Sequence, residues 1–431
     1  MAQGNLLGKA VLVTMDTTAR TTPIREVDLG DQAAFTDSRA LTETLAAPLA
    51  PEDQTAQSMP DASPTKWHRA HTTWFYEEFL LGPTGGYQAF DDGFRYLFNS
   101  YYEGVGPRHP RAQRGLITGP GTGVITRYRE HVEDAVSLLL SSGLDDEGAA
   151  VLLLGRHHEQ QHQELLVMDA KHLLGLHPFG PAYIDRATDP GRSPVAQTWR
   201  AVEGGIVGIG HDGDGFAFDN EGPRHDVLLQ PFEIAERAVT NEDWRTFMAD
   251  RGYDRPELWL SDGWAAVQSQ GWRAPLHWRD EDGTWLVFTM SGVRPIRLDE
   301  PVCHVSFYEA DAYARWAGAR LPTEHEWEAA VQPVSHLRGQ LLDPGRLHPG
   351  PAGKHMIGDV WEWTASAYLP YPGFQPAAGA VGEYNGKFMC DQHVLRGASC
   401  ATPSGHERVS YRNFFPASAR WAFSGLRLAR S

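Results

Sequence analysis

The first 180 residues of the chain carry a helical pattern of hydrophobic and polar positions that is lost further on. Apolar residues flank the polar centre of residues 152–174, which contain no proline, and this predicts a long helix. The same kind of pattern predicts helices over residues 37–49 and 125–140. A further helix begins at Ser63 and Pro64, since proline is favoured in the first helical turn, and ends at the glycine-rich residues 82–86. These four helices predict a helical bundle.

Beyond residue 180 the pattern changes to short runs that are typical of strands. Residues 178–200 are interrupted by proline, glycine and aspartate, which indicates a linker. Most of the 14 tryptophans lie after residue 195, in sequence rich in glycine and proline, and this favours short strands and long packed loops. We predict an α+β protein with a tail over residues 1–30, a helical bundle over 31–180, a linker over 181–200 and a second domain over 201–431.

Length and charge narrow the classes of function. A chain of 431 residues with 41% hydrophobic content can bury two ordinary cores. Its net charge of −17 argues against nucleic acid and anionic membrane surfaces as partners. Because the sequence has no run of about twenty apolar residues and no basic-then-apolar leader, we expect a soluble, cytoplasmic protein, and we leave a homo-oligomer open. Three cysteines, Cys303, Cys390 and Cys400, are too few and too scattered for a disulfide framework.

The long helix carries a candidate metal site. His158 and His162 are four residues apart, so their rings share one helix face and can converge on a metal ion, with Gln161 beside them. A third ligand is needed, and the preceding helix offers His71 among its inward aromatic residues, whereas His68 lies on a different flank. We therefore predict His71 as the third ligand. Satisfied core histidines are the alternative interpretation.

A long loop over residues 87–120 is aromatic and basic. It contains Tyr101, Tyr102, Arg111 and Arg114. Long loops in compact domains are commonly functional, so this loop is a candidate wall of a substrate site. A packed connector is the alternative.

Five sequence blocks in the second half resemble a known domain. They have the pattern of the formylglycine-generating-enzyme (sulfatase-modifying factor) domain, and they fall at residues 239–244, 301–306, 320–330, 358–364 and 395–399. The resemblance implies a C-type-lectin-like fold with little regular secondary structure. Preceded by a DinB-like four-helix bundle with His71 and the His158/His162 pair, the whole chain resembles the iron(II)-dependent sulfoxide synthases of ergothioneine biosynthesis, the EgtB family.

The family resemblance implies a reaction and a cofactor. The reaction is the O2-dependent joining of a thiol, from cysteine or γ-glutamylcysteine, to the imidazole carbon of hercynine, which gives a sulfoxide. Iron(II) would be held by His71, His158 and His162, because three neutral imidazoles leave coordination positions open for the substrates. Gln161 matches the glutamine that contacts the hercynine imidazole in that family. The tyrosine loop resembles the branch that uses cysteine.

The resemblance also implies roles for other residues. Tyr101 or Tyr102 would supply a proton near the metal and so divert the reaction from simple thiol dioxygenation. Independently of the resemblance, the bidentate pairing of arginine with carboxylates makes Arg111 and Arg114 candidates to hold the carboxylate of the sulfur donor. A C-terminal stretch is similar to the family's substrate-binding segment, in which an amide suits a carboxylate and aromatic faces suit a trimethylammonium group, and it contains Arg412, Asn413, Phe414 and Phe415. Aromatic packing and solvated loop charges are the alternatives.

Two other enzyme classes share parts of these patterns. His158-Glu159-Gln160-Gln161-His162 spells the His-Glu-x-x-His motif of zinc metallopeptidases, in which Glu159 would be the general base. A formylglycine-generating-type oxidase would need a late pair of cysteines, but Cys400 has no second cysteine in the residues that follow it. A lectin-like binding module is a non-enzymatic alternative, although it leaves the three histidines unexplained.

Overall fold

The computed structural model describes residues 29–186, 191–377 and 379–431. Residues 1–28 of the predicted tail lie outside these ranges, whereas residues 29 and 30 belong to the first helix. Within the described residues no helix is both long enough and apolar enough to cross a membrane.

Within residues 29–186, four long helices form the N-terminal part of the fold. They are α1 (Leu29–Ala46), α2 (Thr65–Tyr76), α4 (Thr122–Ser142) and α5 (Asp146–Gly175), and a short helix α3 (Phe94–Leu97) lies between α2 and α4 in the sequence. Helix α2 packs against α1, α4 and α5. The side chain of Asp145 accepts a hydrogen bond from the backbone nitrogen of Gly148 and so caps the start of α5. All four helices expected from the sequence are present. The first begins earlier than residue 37, because Phe35 is buried and packs edge-on against Tyr76 at 5.1 Å.

Helix α2 changes its winding before it ends. The α-helical part stops at Tyr76, and the chain continues as a π-helical turn (Glu77–Leu81) and a short 3₁₀ turn (Gly82–Thr84). Pro64 lies at the N-cap, one residue before the first helical position. The predicted start of this helix therefore agrees with the structure to within one residue, and its predicted end agrees to within about one turn.

The C-terminal part consists of short helices and small sheets. The helices are α6 (Asn241–Ala249), α7 (Ser261–Gln270), α8 (Phe307–Trp316) and α9 (Glu324–Val331). The strands are β1 (Trp199–Val202), β2 (Gly205–Ile209), β3 (His225–Leu229), β4 (Phe232–Ala235), β5 (Trp278–Glu281), β6 (Thr284–Thr289), β7 (Gly292–Pro295), β8 (Trp361–Ala367), β9 (Gln392–Arg396), β10 (Asn413–Pro416), β11 (Ser424–Leu426) and β12 (Ala429–Arg430). The four-stranded sheet has the order β10-β9-β8-β11, and smaller sheets join β1-β4-β12, β2-β3 and β5-β6-β7. The predicted α+β class is therefore present.

Capping boxes start three of these helices. The side chains of Thr240, Ser306 and Thr323 each accept a hydrogen bond from a backbone nitrogen three residues later, and a carboxylate at that position bonds back. These residues lie in the blocks that the sequence analysis singles out. Three of the five blocks therefore start a helix of the C-terminal part.

The two parts of the chain meet along the C-terminal half of α5. The carboxylate of Glu164 is buried and accepts hydrogen bonds from Trp361 Nε1 (2.5 Å), Ser399 Oγ (2.6 Å) and Thr402 Oγ1 (2.7 Å). All three donors come from the C-terminal part. Glu164 therefore joins the helix that carries two of the candidate metal ligands to that part.

Replacing Glu164 with alanine is expected to lower the free energy of unfolding of the protein by about 3 kcal/mol, because three buried donors lose their acceptor at once. Glu164→Gln should lose less, since one acceptor oxygen remains. Denaturant titration followed by tryptophan fluorescence measures the difference. Glu130→Ala removes an exposed carboxylate of α4 and is the matched control. Equal losses for the alanine variants at positions 130 and 164 would contradict the assigned role.

Candidate metal centre

Three histidine side chains from two helices meet at one point. His71 lies on α2, and His158 and His162 lie one turn apart on α5. One nitrogen from each ring lies within 4.8 Å of the other two. The structure thus brings together the three histidines that the sequence singles out, where α2 packs against α5.

Burial leaves nitrogen atoms of these rings without partners. His71 and His158 are almost fully buried. His71 Nδ1 donates to the carbonyl oxygen of Phe98 at 2.6 Å, whereas its Nε2 atom and both ring nitrogens of His158 have no hydrogen-bond partner among the described residues. Buried polar atoms rarely remain unpaired in a folded protein. A metal ion bound by these lone pairs is a partner that the donor set fits.

The surroundings of the cluster keep the imidazoles neutral. Burial lowers the pKa of His71 and of His162 well below the ordinary value, and it lowers the pKa of His158 to about 3. The neighbouring histidines lower the pKa of His71 and His162 further. A neutral imidazole keeps one nitrogen lone pair free, and this is the form that binds a metal.

His68 lies behind His162 in this cluster. Its Nδ1 atom is 2.9 Å from His162 Nδ1, and its Nε2 atom is 3.0 Å from the Oδ2 atom of Asp169. Both ring nitrogens of His68 are therefore engaged by protein groups. The structure separates the roles of the two histidines of α2, because only His71 has an unpartnered nitrogen.

The side chain of Gln161 connects the cluster to the C-terminal part. Its Nε2 atom donates to the hydroxyl of Tyr411 at 2.7 Å, and its Oε1 atom accepts from the hydroxyl of Tyr384. The ring centroid of Tyr384 is 5.7 Å from that of His158. Gln161 therefore lies at the junction where the histidines face two tyrosines of the C-terminal part.

Tyr101 and Tyr102 lie beside this junction. Their ring centroids are 4.6 Å apart, and the ring of Tyr101 meets that of Tyr384 edge-on at 6.2 Å. Tyr102 is fully buried and packs against Trp74, whose ring also stacks on His71. Burial raises the pKa of Tyr102 well above its ordinary value, so its hydroxyl stays protonated at neutral pH. Trp74 thus contacts both Tyr102 and His71.

The two arginines of the loop have different surroundings. Arg114 is buried, its guanidinium lies 3.3 Å over the ring of Trp67, and it donates to the hydroxyl of Ser63 at 2.8 Å. The ring of Trp67 in turn stacks on His71 at 4.6 Å. Arg111 is exposed. Arg114 therefore borders the histidine cluster through Trp67.

Arg412 is engaged within the protein. Its guanidinium pairs with the carboxylate of Glu324 through two hydrogen bonds of 2.8 and 2.9 Å and donates to the backbone carbonyls of Asn220 and Leu369. The whole side chain is buried. These contacts favour a structural role for Arg412 over direct substrate binding.

Asn413, Phe414 and Phe415 follow on strand β10. The Oδ1 atom of Asn413 accepts from the backbone nitrogen of Phe414, and the ring of Phe414 stacks on that of Tyr368 at 4.1 Å. Phe415 packs edge-on against Trp421 at 5.5 Å. All three are half-buried, so parts of these side chains remain accessible.

Glu159 is fully buried and held by other polar side chains. Its carboxylate accepts hydrogen bonds from Arg39, Arg129 and Thr42, at 2.7 to 3.3 Å. The two guanidinium groups lower its pKa against the effect of burial. A carboxylate held by two arginines cannot act as the general base that a His-Glu-x-x-His peptidase requires.

The C-terminal part of the chain matches a known domain family. The family model described as "Sulfatase-modifying factor enzyme 1-like domain" matches residues 187–341 and 345–431. The chain is thus a sulfatase-modifying-factor domain preceded by helices that hold a candidate three-histidine metal centre.

The chain is similar in sequence to several hercynine oxygenases. Hercynine oxygenase of Mycolicibacterium thermoresistibile is 34% identical over 86% of this chain and 88% of its own length. The hercynine oxygenases of Mycolicibacterium smegmatis and Mycobacterium tuberculosis are 40% and 38% identical, over 58% and 52% of this chain and over 65% and 58% of their own lengths. The chain belongs to the hercynine oxygenase family. The resemblance seen in the sequence is therefore confirmed.

Two residues of the junction are absent from the set predicted as site residues. Tyr384 lies in a stretch without any recognisable motif, so its contact with Gln161 leaves no signal in the sequence. Tyr411 directly precedes the predicted substrate-binding residues, and its position next to them is the signal that points to it.

Proposed function

We propose that this protein is an iron(II)- and O2-dependent sulfoxide synthase that joins the thiol of cysteine to the imidazole carbon of hercynine. The observation that carries the proposal is the convergence of three neutral, buried imidazoles beside Gln161, which is held by Tyr384 and Tyr411. Membership of the hercynine oxygenase family supports the same reaction. The helical part would correspond to a DinB-like bundle and the C-terminal part to a C-type-lectin-like fold, with the domain limits expected from the sequence.

His71, His158 and His162 would hold the iron. Their donor set is neutral, so an Fe(II) ion bound there keeps its positive charge for anionic ligands such as a thiolate. Bound iron would supply O2 activation and a coordination position for the thiolate. The aromatic side chains of Trp67 and Trp74, which stack on His71, exclude water from that side of the cluster.

Gln161 would orient the imidazole of hercynine. Two tyrosine hydroxyls fix its amide, and one N–H of its Nε2 atom remains available beyond the bond to Tyr411. Asn413 would hold the carboxylate of hercynine, while Phe414 and Phe415 would face its trimethylammonium group. Arg114 and Arg111 would bind the carboxylate of the sulfur donor.

A tyrosine hydroxyl would supply the proton that directs the reaction toward carbon–sulfur bond formation. Tyr101 and Tyr102 are the candidates from the loop. The buried hydroxyl of Tyr102 remains protonated, as a proton donor requires.

Reconstitution tests the proposed function directly. The purified protein is loaded anaerobically with Fe(II), mixed with hercynine and cysteine, and exposed to O2, and the product is identified by mass spectrometry. We expect the hercynine–cysteine sulfoxide from the iron-loaded protein and none from the zinc-loaded control. Peptide hydrolysis by the zinc form, without thiol-dependent O2 uptake by the iron form, would refute the proposal.

The choice of sulfur donor gives a second expected outcome. The kcat/KM for cysteine should exceed that for γ-glutamylcysteine at least about tenfold, which corresponds to roughly 1.4 kcal/mol of differential transition-state binding. Parallel O2-electrode assays with the two thiols at fixed hercynine measure the ratio. A preference for γ-glutamylcysteine would reverse the assignment and leave the reaction class unchanged.

A further inference from the structure

The three candidate ligands are fixed in different ways. The ring of His71 is held by a hydrogen bond to a backbone carbonyl, and the ring of His158 is held by packing, with its centroid 4.6 Å from that of Phe75. The ring of His162 is instead connected through His68 to a buried carboxylate, that of Asp169. This connected row of side chains has no counterpart at the other two ligands among the described residues.

The polar contacts of Asp169 determine which ring nitrogens of His68 and His162 carry a proton. Its Oδ2 atom accepts from the backbone nitrogen of Ser63 at 2.8 Å and lies 3.0 Å from His68 Nε2. An ionised carboxylate only accepts hydrogen bonds, so His68 carries its proton on Nε2. Nδ1 of the neutral ring is then an acceptor, which receives the proton of His162 Nδ1 at 2.9 Å. The lone pair of His162 is left on Nε2.

We propose that His68 and Asp169 are positioning residues that fix the tautomer and the ring orientation of His162 for metal binding. This inference rests on the proposed metal centre. It applies to the metal-free protein as well as to the metal-loaded protein. A carboxylate that acts through a second group on a metal-bound imidazole raises the basicity of that imidazole and prevents its rotation. Here the second group is another histidine, and both groups are buried.

The same residues connect the site to the start of α2. Asp169 holds the backbone of Ser63, the residue that precedes Pro64 at the helix N-cap, while the hydroxyl of Ser63 accepts from Arg114. The beginning of the helix that carries His71 and the ring of His162 are thus tied to one carboxylate. A change at Asp169 therefore acts on His162 through His68, whereas the hydrogen bond of His71 to the carbonyl of Phe98 does not involve Asp169.

A matched pair of substitutions separates the hydrogen bond from the packing. Leucine and asparagine at position 68 have similar shapes, but only the asparagine oxygen can accept the proton of His162 Nδ1. We expect His68→Leu to weaken the binding of Co(II), measured by competition with a chelator and without substrates, by roughly 10- to 100-fold. His68→Asn should recover most of that affinity, and Asp169→Asn, which keeps an oxygen but removes the charge, should lose about tenfold.

A spectroscopic measurement reports on the tautomer itself. In the Co(II)-loaded protein, the Nδ1 proton of His162 should give a hyperfine-shifted proton signal that exchanges slowly with solvent because His68 covers it. His68→Leu should lose this signal or exchange it rapidly, and the signal of the Nδ1 proton of His71 should remain. His172→Gln, on the same helix and bonded to Ser58, is the control and should change neither affinity nor signals.

Each outcome decides the proposal. Wild-type affinity for Co(II) in His68→Leu would overturn the proposal, because the hydrogen bond of His68 would then have no effect on metal binding. Equal losses of affinity in His68→Leu and His68→Asn would also overturn it, because the loss would then come from packing and not from the hydrogen bond. If His68→Leu does not fold, Asp169→Asn provides the decision by the same two measurements. Since Co(II) binding is measured without hercynine or thiol, failure of the proposed sulfoxide synthase activity would leave this result unaffected.

Discussion

Replacement of His158 with alanine is expected to abolish tight metal binding and, with it, all sulfoxide formation. The ring of His158 is buried and has two unpartnered nitrogens, and its lone pair is one of three that converge within 4.8 Å. Loss of a ligand should weaken metal binding by more than the roughly 100-fold upper end that is typical of losing an indirect partner. Metal content after dialysis, together with O2 uptake in the presence of both substrates, measures the loss. His71→Ala and His162→Ala should behave in the same way.

His157 supplies the control for this experiment. It directly precedes His158, but its ring stacks on Phe216 at 3.8 Å and its Nδ1 atom lies 3.0 Å from His406 Nδ1. His157→Ala should therefore retain the metal. If His157→Ala loses the metal while His158→Ala keeps it, the ligand assignment is wrong. A folded His158→Ala variant with full activity would instead favour a non-metal function.

Removal of the correct tyrosine hydroxyl is expected to change the product of the reaction and leave the consumption of O2 in place. A positioned general acid contributes roughly 10²- to 10⁴-fold to a rate, so its loss should let thiol oxidation overtake carbon–sulfur bond formation. Tyr101→Phe or Tyr102→Phe should therefore yield mainly cysteine sulfinate in place of the sulfoxide. Phenylalanine keeps the stacked rings, so iron and both substrates should still bind. Mass spectrometry measures the amounts of sulfoxide and cysteine sulfinate formed, and each amount is compared with the O2 consumed.

Tyr384 is the alternative that the tertiary structure adds to this test. Its hydroxyl is hydrogen-bonded to Gln161 and its ring centroid lies 5.7 Å from that of His158, so it also borders the histidine cluster. If Tyr101→Phe, Tyr102→Phe and the double variant all keep the wild-type sulfoxide share, the loop tyrosines are not the proton donors. Tyr384→Phe then identifies the donor if it alone shifts the product to sulfinate. If Tyr101 or Tyr102 is the proton donor, as we expect, Tyr384→Phe raises the KM for hercynine, because Gln161 loses one of its two hydrogen bonds to tyrosine hydroxyls.

Local sequence patterns were sufficient for the four long helices of the N-terminal part and for placing His158 and His162 on one helix face. The spacing of His158 and His162 places them on one face of any helix. In α2, His68 and His71 are both buried, so only the contacts of their rings separate the two roles. Helix starts were less readable, because the pattern puts the starts of α1, α4 and α5 at residues 37, 125 and 152, whereas these helices begin at Leu29, Thr122 and Asp146. The blocks of the C-terminal half indicated the sulfatase-modifying-factor domain by their resemblance to it, and the match to the family model confirms this.

Only the tertiary structure decided which groups surround the histidines. The partners of Gln161 are 223 and 250 residues away in the sequence, and those of Glu164 are 197 to 238 residues away. A helical period reports which face of a helix is buried, but it does not report what covers that face. The same limit explains Arg412, which looks like a substrate ligand in the sequence and pairs with Glu324 in the fold. It also explains His68, whose link to Asp169 depends on how α2 and α5 pack. The sequence by itself therefore indicated the candidate metal ligands, and the packing of two distant parts of the chain determined their environment.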